Sequence, residues 1–246
     1  MRHVALVVPC YNEAARLPVD RLRAFLTDDK SVGLVLVDDG SRDGTRARLD
    51  TVREGFEERV QVLALPSNRG KAEAVRLGVA RALEGGAEGV GYWDADLATP
   101  LEELERLRAV LDQHPDVVMV LGARVNLLGR HIERSPLRHY LGRVFATAAS
   151  VTLGLPVYDT QCGAKLFRVT PELGELFAEP FETRWLFDVE ILARFLRQRR
   201  SAGTSAHGAI VEHPLHEWRD VAGSKVRALD FVKGFVDLLR IRRRYF

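Results

Sequence analysis

The chain has 246 residues, of which 46% are hydrophobic and 28% charged, the composition of an ordered globular protein able to bury a sizeable core. With 36 basic and 34 acidic side chains the net charge is only +2, so no global field argues for nucleic acid as a partner. Cys10 and Cys162, the two cysteines, show neither metal-ligand spacing nor a disulfide framework, which suits a reducing cytosol. Met1–Val4 enters a strand without signal-peptide anatomy. No window reaches the roughly 18 apolar residues of a spanning helix; the nearest, Tyr140–Tyr158, is broken by Arg143 and Pro156.

Val4–Val8 reads as a strand buried on both faces, ending at Pro9-Cys10-Tyr11-Asn12-Glu13. A helix over 16–27, interrupted early by Pro18, leads to a second strand over 33–37 and the polar turn Asp38-Asp39-Gly40-Ser41. Ser41 or Asp43 can cap the next helix, 45–56. A third strand (60–65), the segment Asn68-Arg69-Gly70-Lys71 and a helix (72–83) follow, and then a fourth strand (90–93) runs into Asp94-Ala95-Asp96. This alternation predicts right-handed βαβ units and a parallel sheet, with ligands outside the carboxyl ends of the strands. The second half is less regular. It holds helices over 100–113, 136–153 and 187–197, strands over 117–121 and 209–213, and a turn-then-strand over 159–167. It closes with an amphipathic helix over 229–241 whose Leu229, Val232, Val236 and Leu239 oppose Asp230, Lys233, Asp237 and Arg240. The whole, 1–246, reads as one domain of two halves, 1–98 and 99–228, followed by a basic amphipathic helix (229–246).

Asp94 and Asp96 carry the sharpest chemistry. Side chains at i and i+2 of an extended segment share a face, so these carboxylates repel unless a cation lies between them. Mg²⁺ or Mn²⁺ is the natural guest, with substrate phosphates as further ligands. A strand-end turn followed by a helix cap is the plain alternative. Tyr11 could stack on a base and Glu13 accept a hydrogen bond, or Glu13 could simply serve a helix dipole. Asp38 and Asp39 at the end of a buried strand need donors, which a nucleoside offers. Lys71 follows a glycine that either lets backbone approach a ligand closely or simply makes a turn. Arg219 and Lys225 flank a small-residue segment, either a phosphate clamp or a solvated loop. Asp188 and Glu190, set among aromatics, are candidates for a perturbed base or plain helix N-terminal acids. His213 and His216 show no partner in sequence and read as core or surface filler. Arg130, Arg134 and Arg138 at i, i+4, i+8 form a cationic stripe if helical, able to rest on anionic headgroups.

Taken together the motifs V-V-P-C-Y-N-E (7–13), V-D-D-G-S-R-D-G-T (37–45), N-R-G-K (68–71), D-A-D (94–96), G-A-R (122–124), D-T-Q-C-G-A-K-L-F (159–167), R-W-L-F-D-V-E (184–190) and G-S-K (223–225) span nearly the whole chain. The chain resembles family 2 glycosyltransferases of the GT-A fold, and within them the polyprenyl (dolichyl) phosphate glycosyltransferases of the glucosyl type. The resemblance implies a Rossmann-like, mixed but mostly parallel α/β sheet flanked by helices, and an inverting, metal-dependent transfer of a hexose. It implies that Pro9, Tyr11, Glu13 and Asp39 hold the nucleoside, and that Asp94 and Asp96 hold the diphosphate through Mg²⁺ or Mn²⁺. It further implies that Arg124, Arg219 and Lys225 meet the diphosphate or an acceptor phosphate. Asp38, Lys71, Ala95, Arg138 and Gln161 complete the substrate-binding set, and Asp96, Asp159 and Asp188 the catalytic one. One departure is informative: mannosyl-type relatives often carry a glutamine two residues after the second aspartate, where this chain has Ala98, which favours UDP-glucose over GDP-mannose. The expected partners are therefore a nucleotide-sugar, a polyprenyl phosphate and a membrane surface touched peripherally from the cytoplasmic side. A soluble hydroxyl acceptor, and a non-catalytic sugar-nucleotide-binding protein, are the competing readings.

Overall fold

The computed structural model describes residues 1–133, 136–221 and 228–246, with side chains throughout except at 136–141 and 228–232. Arg134, Lys225 and the side chain of Arg138 therefore lie outside the described residues. The first half alternates as its sequence dictates: β1 (Val4–Cys10), α1 (Val19–Asp28), β2 (Val32–Asp38), α2 (Thr45–Arg53), β3 (Val60–Ala64), α3 (Lys71–Glu84) and β4 (Gly89–Trp93). Then come α4 (Glu103–Gln113), β5 (Met119–Ala123), β6 (His131–Glu133), α5 (Pro136–Leu153), β7 (Ala164–Arg168), α6 (Pro171–Ala178), α7 (Phe187–Ser201), β8 (Ile210–Pro214), β9 (Glu217–Arg219) and α8 (Ala228–Tyr245). Pro18 stands at the cap position of α1 rather than inside it, and Gly55 at φ 79° follows the end of α2. Thr170-Pro171 is an ordinary helix-opening pair, yet α6 is absent from the expected elements, as are the short strands β6 and β9.

Seven strands form one sheet in the order β3-β2-β1-β4-β7-β5-β8, in which β7 alone runs antiparallel to its neighbours; β6 and β9 pair separately, in parallel. The mixed, mostly parallel sheet expected from the sequence is thus present. β1 and β2 are buried along nearly their whole length because helices cover both faces. Alternate residues serve opposite cores: Val7, Val35, Val37, Tyr92 and Phe167 meet α3 and α5–α8, while Leu6, Val8, Leu34, Leu36 and Trp93 meet α1, α2 and α4.

The C-terminal helix packs differently from its simplest amphipathic reading. Gly234, Leu238, Ile241 and Tyr245 face inward, and Val236 and Leu239, expected on the buried face, are exposed together with Phe235. The reason is Gly234. A Cβ there would stand 2.8 Å from the Trp185 ring and 2.9 Å from the Phe145 ring, so the helix settles on its glycine face against α5 and the start of α7. The side chains of Leu229 and Val232 lie outside the described residues.

A similar close approach seats α3 on the sheet: a Cβ on Gly78 would lie 2.3 Å from Val7 Cγ1 and 3.0 Å from Val37 Cγ2. Helix propensity alone would favour alanine by about 1 kcal/mol, but overpacking a full core costs about 1–3 kcal/mol. Gly78→Ala is therefore expected to lower the denaturation midpoint in a urea titration; an unchanged or raised midpoint would show that α3 can lift without cost.

Candidate active site

Because β2, β1 and β4 are neighbours in parallel, the segments after their carboxyl ends meet in one crevice. The first two loops are laced together. Asn12, at φ 52°, donates its amide to Ser41 Oγ (3.0 Å) and accepts at Oδ1 from the Arg42 amide (2.9 Å). The amides of Glu13 and Ala14 donate to Thr45 Oγ1 (2.7 Å) and Asp43 Oδ2 (3.2 Å). Asp43 also accepts the Thr45 amide at the start of α2 (2.9 Å), but the cap position itself is Gly44 and carries no side-chain cap bond, so neither Ser41 nor Asp43 is the N-cap. Glu13 is buried and held in a two-pronged contact by Arg16, at 2.9 and 2.7 Å. Pro9 and Tyr11 lie at the same strand end, partly buried.

The two acids after β2 receive the donors that their burial calls for from the chain itself. Asp38 Oδ1 accepts the Ser41 amide (3.0 Å). Asp39 accepts the Arg69 and Gly70 amides (2.7 and 2.8 Å) and the Asn68 side chain (2.9 Å). Burial nevertheless raises the Asp39 carboxyl above the usual carboxylate range, against the pull of those amides and of Arg184. Gly70 takes φ 95°, which an L side chain rarely adopts, and the Arg184 guanidinium lies where its side chain would be, with Nε 3.2 Å from the Cβ position. Arg184 opens the R-W-L-F-D-V-E segment and Arg16 stands three residues after Glu13; neither was singled out from the sequence, although i, i+3 spacing was a legible signal for the second.

After β4, Leu97 adopts φ 50°, and this tight turn returns the Ala98 amide to Asp96 Oδ1 (3.1 Å). Asp94 Oδ1 holds the Lys71 ammonium at 2.6 Å. Burial, and then the adjacent Asp94 charge, push the Asp96 carboxyl above the usual range, opposed by Arg16 and Lys71. The two carboxylates thus feel each other, although they sit in a turn beyond β4 rather than in the extended segment that the i, i+2 reading assumed. Ala95 between them is buried. Gly163, on the loop before β7, seats the pair: its carbonyl accepts the Asp94 amide (3.1 Å), and a Cβ on it would fall 1.8 Å from Asp94 Oδ2.

Asp159 and Asp188 are each engaged by a cation. Asp159 is gripped by Arg124 through Nε (2.7 Å) and Nη2 (2.8 Å) and accepts the Arg124 amide (3.1 Å). Glu212 on β8 accepts the Tyr158 and Asp159 amides, both at 2.7 Å, and so fixes the loop. Burial would lower the Arg124 pKa, but the Asp159 charge and hydrogen bond outweigh it and raise it further above its ordinary value. Asp188 is buried, with Lys165 Nζ at 2.6 Å and the Tyr92 hydroxyl donating to the same oxygen. Lys165 also donates to the Cys162 carbonyl (2.6 Å). Cys162 itself is buried, and burial raises its thiol to about 11, so it stays a neutral thiol. Glu190, the other acid of that aromatic run, is fully buried and accepts from Arg194, Tyr245 and the Thr183 amide, a structural post.

Gln161 lines a small cavity with Arg124, Arg143, Tyr158 and Asp159. Arg143 donates to the Tyr158 carbonyl (3.0 Å) and lies 3.7 Å above its ring. Arg219 is exposed and paired with Glu217 at 2.9 Å, while its amide donates to the Ala98 carbonyl (3.0 Å), bringing β9 beside the two-aspartate turn.

Among the described residues no group of three His, Cys, Asp or Glu side chains could hold a metal ion. Asp94 and Asp96 nevertheless fit a divalent ion that takes its other ligands from phosphate and water. They offer hard oxygens, they repel, and Asp94 already attracts a cation.

A family model described as "Glycosyl transferase family 2" matches residues 5–172. The chain belongs to glycosyl transferase family 2. This glycosyltransferase is 31% identical to the dolichyl-phosphate beta-glucosyltransferase ALG5C of Trichomonas vaginalis, over 97% of the chain and 70% of the relative. It is also 31% identical to the dolichyl-phosphate beta-glucosyltransferases of Saccharomyces cerevisiae (98% and 75% covered) and Homo sapiens (99% and 76%). Among solved structures, the glucosyl-3-phosphoglycerate synthase of Mycobacterium tuberculosis, in complex with Mn²⁺, UDP and glucosyl-3-phosphoglycerate, superposes with a TM-score of 0.66 at 21% identity, covering 98% of this chain and 80% of that one. That likeness establishes the GT-A fold.

The Asp94–Gly163 contact makes a sharp prediction for this glycosyltransferase. Gly163→Ala must displace the Asp94 carboxylate, and a misplacement of about 1 Å costs about a hundredfold in rate. Turnover is expected to fall by that order with the circular dichroism spectrum retained; near-normal turnover would mean that Asp94 has no fixed place in the reaction.

Proposed function

We propose that this glycosyltransferase moves glucose from UDP-glucose to a polyprenyl phosphate, inverting the anomeric centre, with Mg²⁺ or Mn²⁺ at Asp94 and Asp96. The observation that carries the acceptor half of this reading is the pairing of Asp159 with Arg124 and of Asp188 with Lys165. A hydroxyl acceptor needs a general base to take its proton. A phosphate monoester, with a second pKa near about 6, is largely dianionic at neutral pH and needs cations instead. Asp159 and Asp188 are already committed to cations, and Arg124 and Arg143 line the cavity beside Asp159.

The donor half rests on the crevice. Tyr11, Glu13, Asp38 and Asp39 lie where a nucleoside would enter, and Lys71 and Arg184 stand at the start of α3, where a diphosphate would end. Position 98 serves the turn through its backbone rather than through a side-chain ligand, in keeping with UDP-glucose. The solved structures of the same fold include one in complex with Mn²⁺ and UDP-glucose. When bound, the metal supplies positive charge that offsets the departing diphosphate. Lys71 adds a second charge on that side. As the bond from C1 to the diphosphate breaks, a phosphate oxygen of the acceptor, oriented by Arg124 and Arg143, forms its bond to C1 from the opposite face. Asp159 and Asp188 serve by orienting Arg124 and Lys165. Arg219 is assigned to phosphate capture, as are Arg138 and Lys225, whose side chains lie outside the described residues.

A lipid acceptor places the enzyme at a membrane surface, on the cytoplasmic side. Among the described residues no helix is long and apolar enough to cross a bilayer. α8 instead offers Phe235, Val236 and Leu239 to solvent beside Arg240, Arg242 and Arg243, a pattern suited to lying in an anionic interface. The triple change of Phe235, Val236 and Leu239 to serine is expected to lower co-sedimentation with phosphatidylglycerol vesicles at least about tenfold; equal binding would remove the membrane role from α8.

The direct test is UDP release from UDP-glucose and GDP release from GDP-mannose, with Mn²⁺, with and without polyprenyl phosphate. UDP release stimulated by the lipid, and glucose found on it, is the expected outcome. Glucose appearing only on an added sugar alcohol would overturn the acceptor assignment, and preferential GDP release the donor assignment.

A further inference from the structure

Asp94 is not waiting for a metal with a bare carboxylate. Lys71, the first residue of α3, is delivered by the φ 95° turn at Gly70, and its ammonium is 2.6 Å from Asp94 Oδ1. It also lies 5.7 Å from the centre of the Phe187 ring and acts on Asp96 and Asp188 through its field. With Lys71 in place, the two-aspartate turn presents a divalent cation with one net negative charge instead of two.

We propose that Lys71 is an internal counter-cation that keeps the metal site weak until a nucleoside diphosphate arrives, making metal and donor bind together. The inference rests on the metal-dependent donor reading above. A diphosphate gives the ammonium a new anionic partner, and the released Asp94 oxygen becomes available to the metal. Because coupling between two ligands is reciprocal, the metal should strengthen UDP binding by the same factor by which UDP strengthens metal binding. Lys71 is thus a positioning residue for the order of assembly as well as a contact for the donor.

The test is binding, not turnover: free Mn²⁺ followed by electron paramagnetic resonance on the full chain, with and without UDP. Three proteins are compared, the wild type, Lys71→Met and Lys71→Arg. Removing a unit charge a few ångströms from a divalent ion is expected to tighten Mn²⁺ binding in the absence of UDP at least about tenfold. In Lys71→Met the strengthening of Mn²⁺ binding by UDP should shrink, whereas Lys71→Arg keeps the wild-type behaviour. Unchanged or weaker Mn²⁺ binding by Lys71→Met without UDP overturns the proposal while leaving the metal-dependent reading intact. Failure of the wild type to bind Mn²⁺ even with UDP present overturns both.

Discussion

Like charges at close quarters set the terms for this molecule. Asp94 and Asp96 stand together in the turn that follows β4, and Asp96, pushed up by burial first and by the Asp94 charge second, already resists ionisation. Their neighbourhood is arranged to relieve that repulsion without abolishing it: Lys71 holds one carboxylate, Arg16 acts on the other, and the turn at Leu97 gives Asp96 an amide. What remains is a centre of net negative charge at the mouth of a crevice, suited to a divalent ion that brings phosphate with it.

The same rule repeats outward from that centre. Glu13 has Arg16, Asp159 has Arg124, Asp188 has Lys165 and Glu190 has Arg194. Several of these pairs are buried, where losing one partner would strand the other, so they serve as rigid fixtures that aim cations and loops. An active site built this way is poor in free bases and rich in placed cations. That is the composition required by a reaction in which both leaving group and nucleophile are phosphates, and it connects the electrostatics of the crevice with the choice of acceptor.

Much of this was legible in the sequence, for identifiable reasons. Continuous apolar runs such as Val4–Val8 and the polar clusters after them announced parallel strands and a common crevice, and the motifs from 7 to 190 resembled one family. What was not legible depended on contacts distant in sequence. The antiparallel β7 owes its place to the return of the chain after α5. The inward face of α8 was decided by Gly234 against Phe145 and Trp185, which hydrophobic periodicity cannot see. Gly163 gained its meaning only from an Asp94 carboxylate about seventy residues away, and Arg184 from the bare face of Gly70. Asp188 reads in sequence as an acid among aromatics, and only the fold shows Lys165 and Tyr92 on its oxygen.

In the proposed reaction the acceptor phosphate, not a protein carboxylate, carries the nucleophilic charge. The pH dependence of kcat/KM for the polyprenyl phosphate tests it most directly, measured with saturating UDP-glucose and Mn²⁺. The expected profile rises with pH and levels off near the second phosphate pKa, about 6, and is the same in Asp188→Asn at whatever rate that variant retains. A profile whose controlling pKa disappears in Asp188→Asn or Asp159→Asn would instead identify a protein general base and contradict the account.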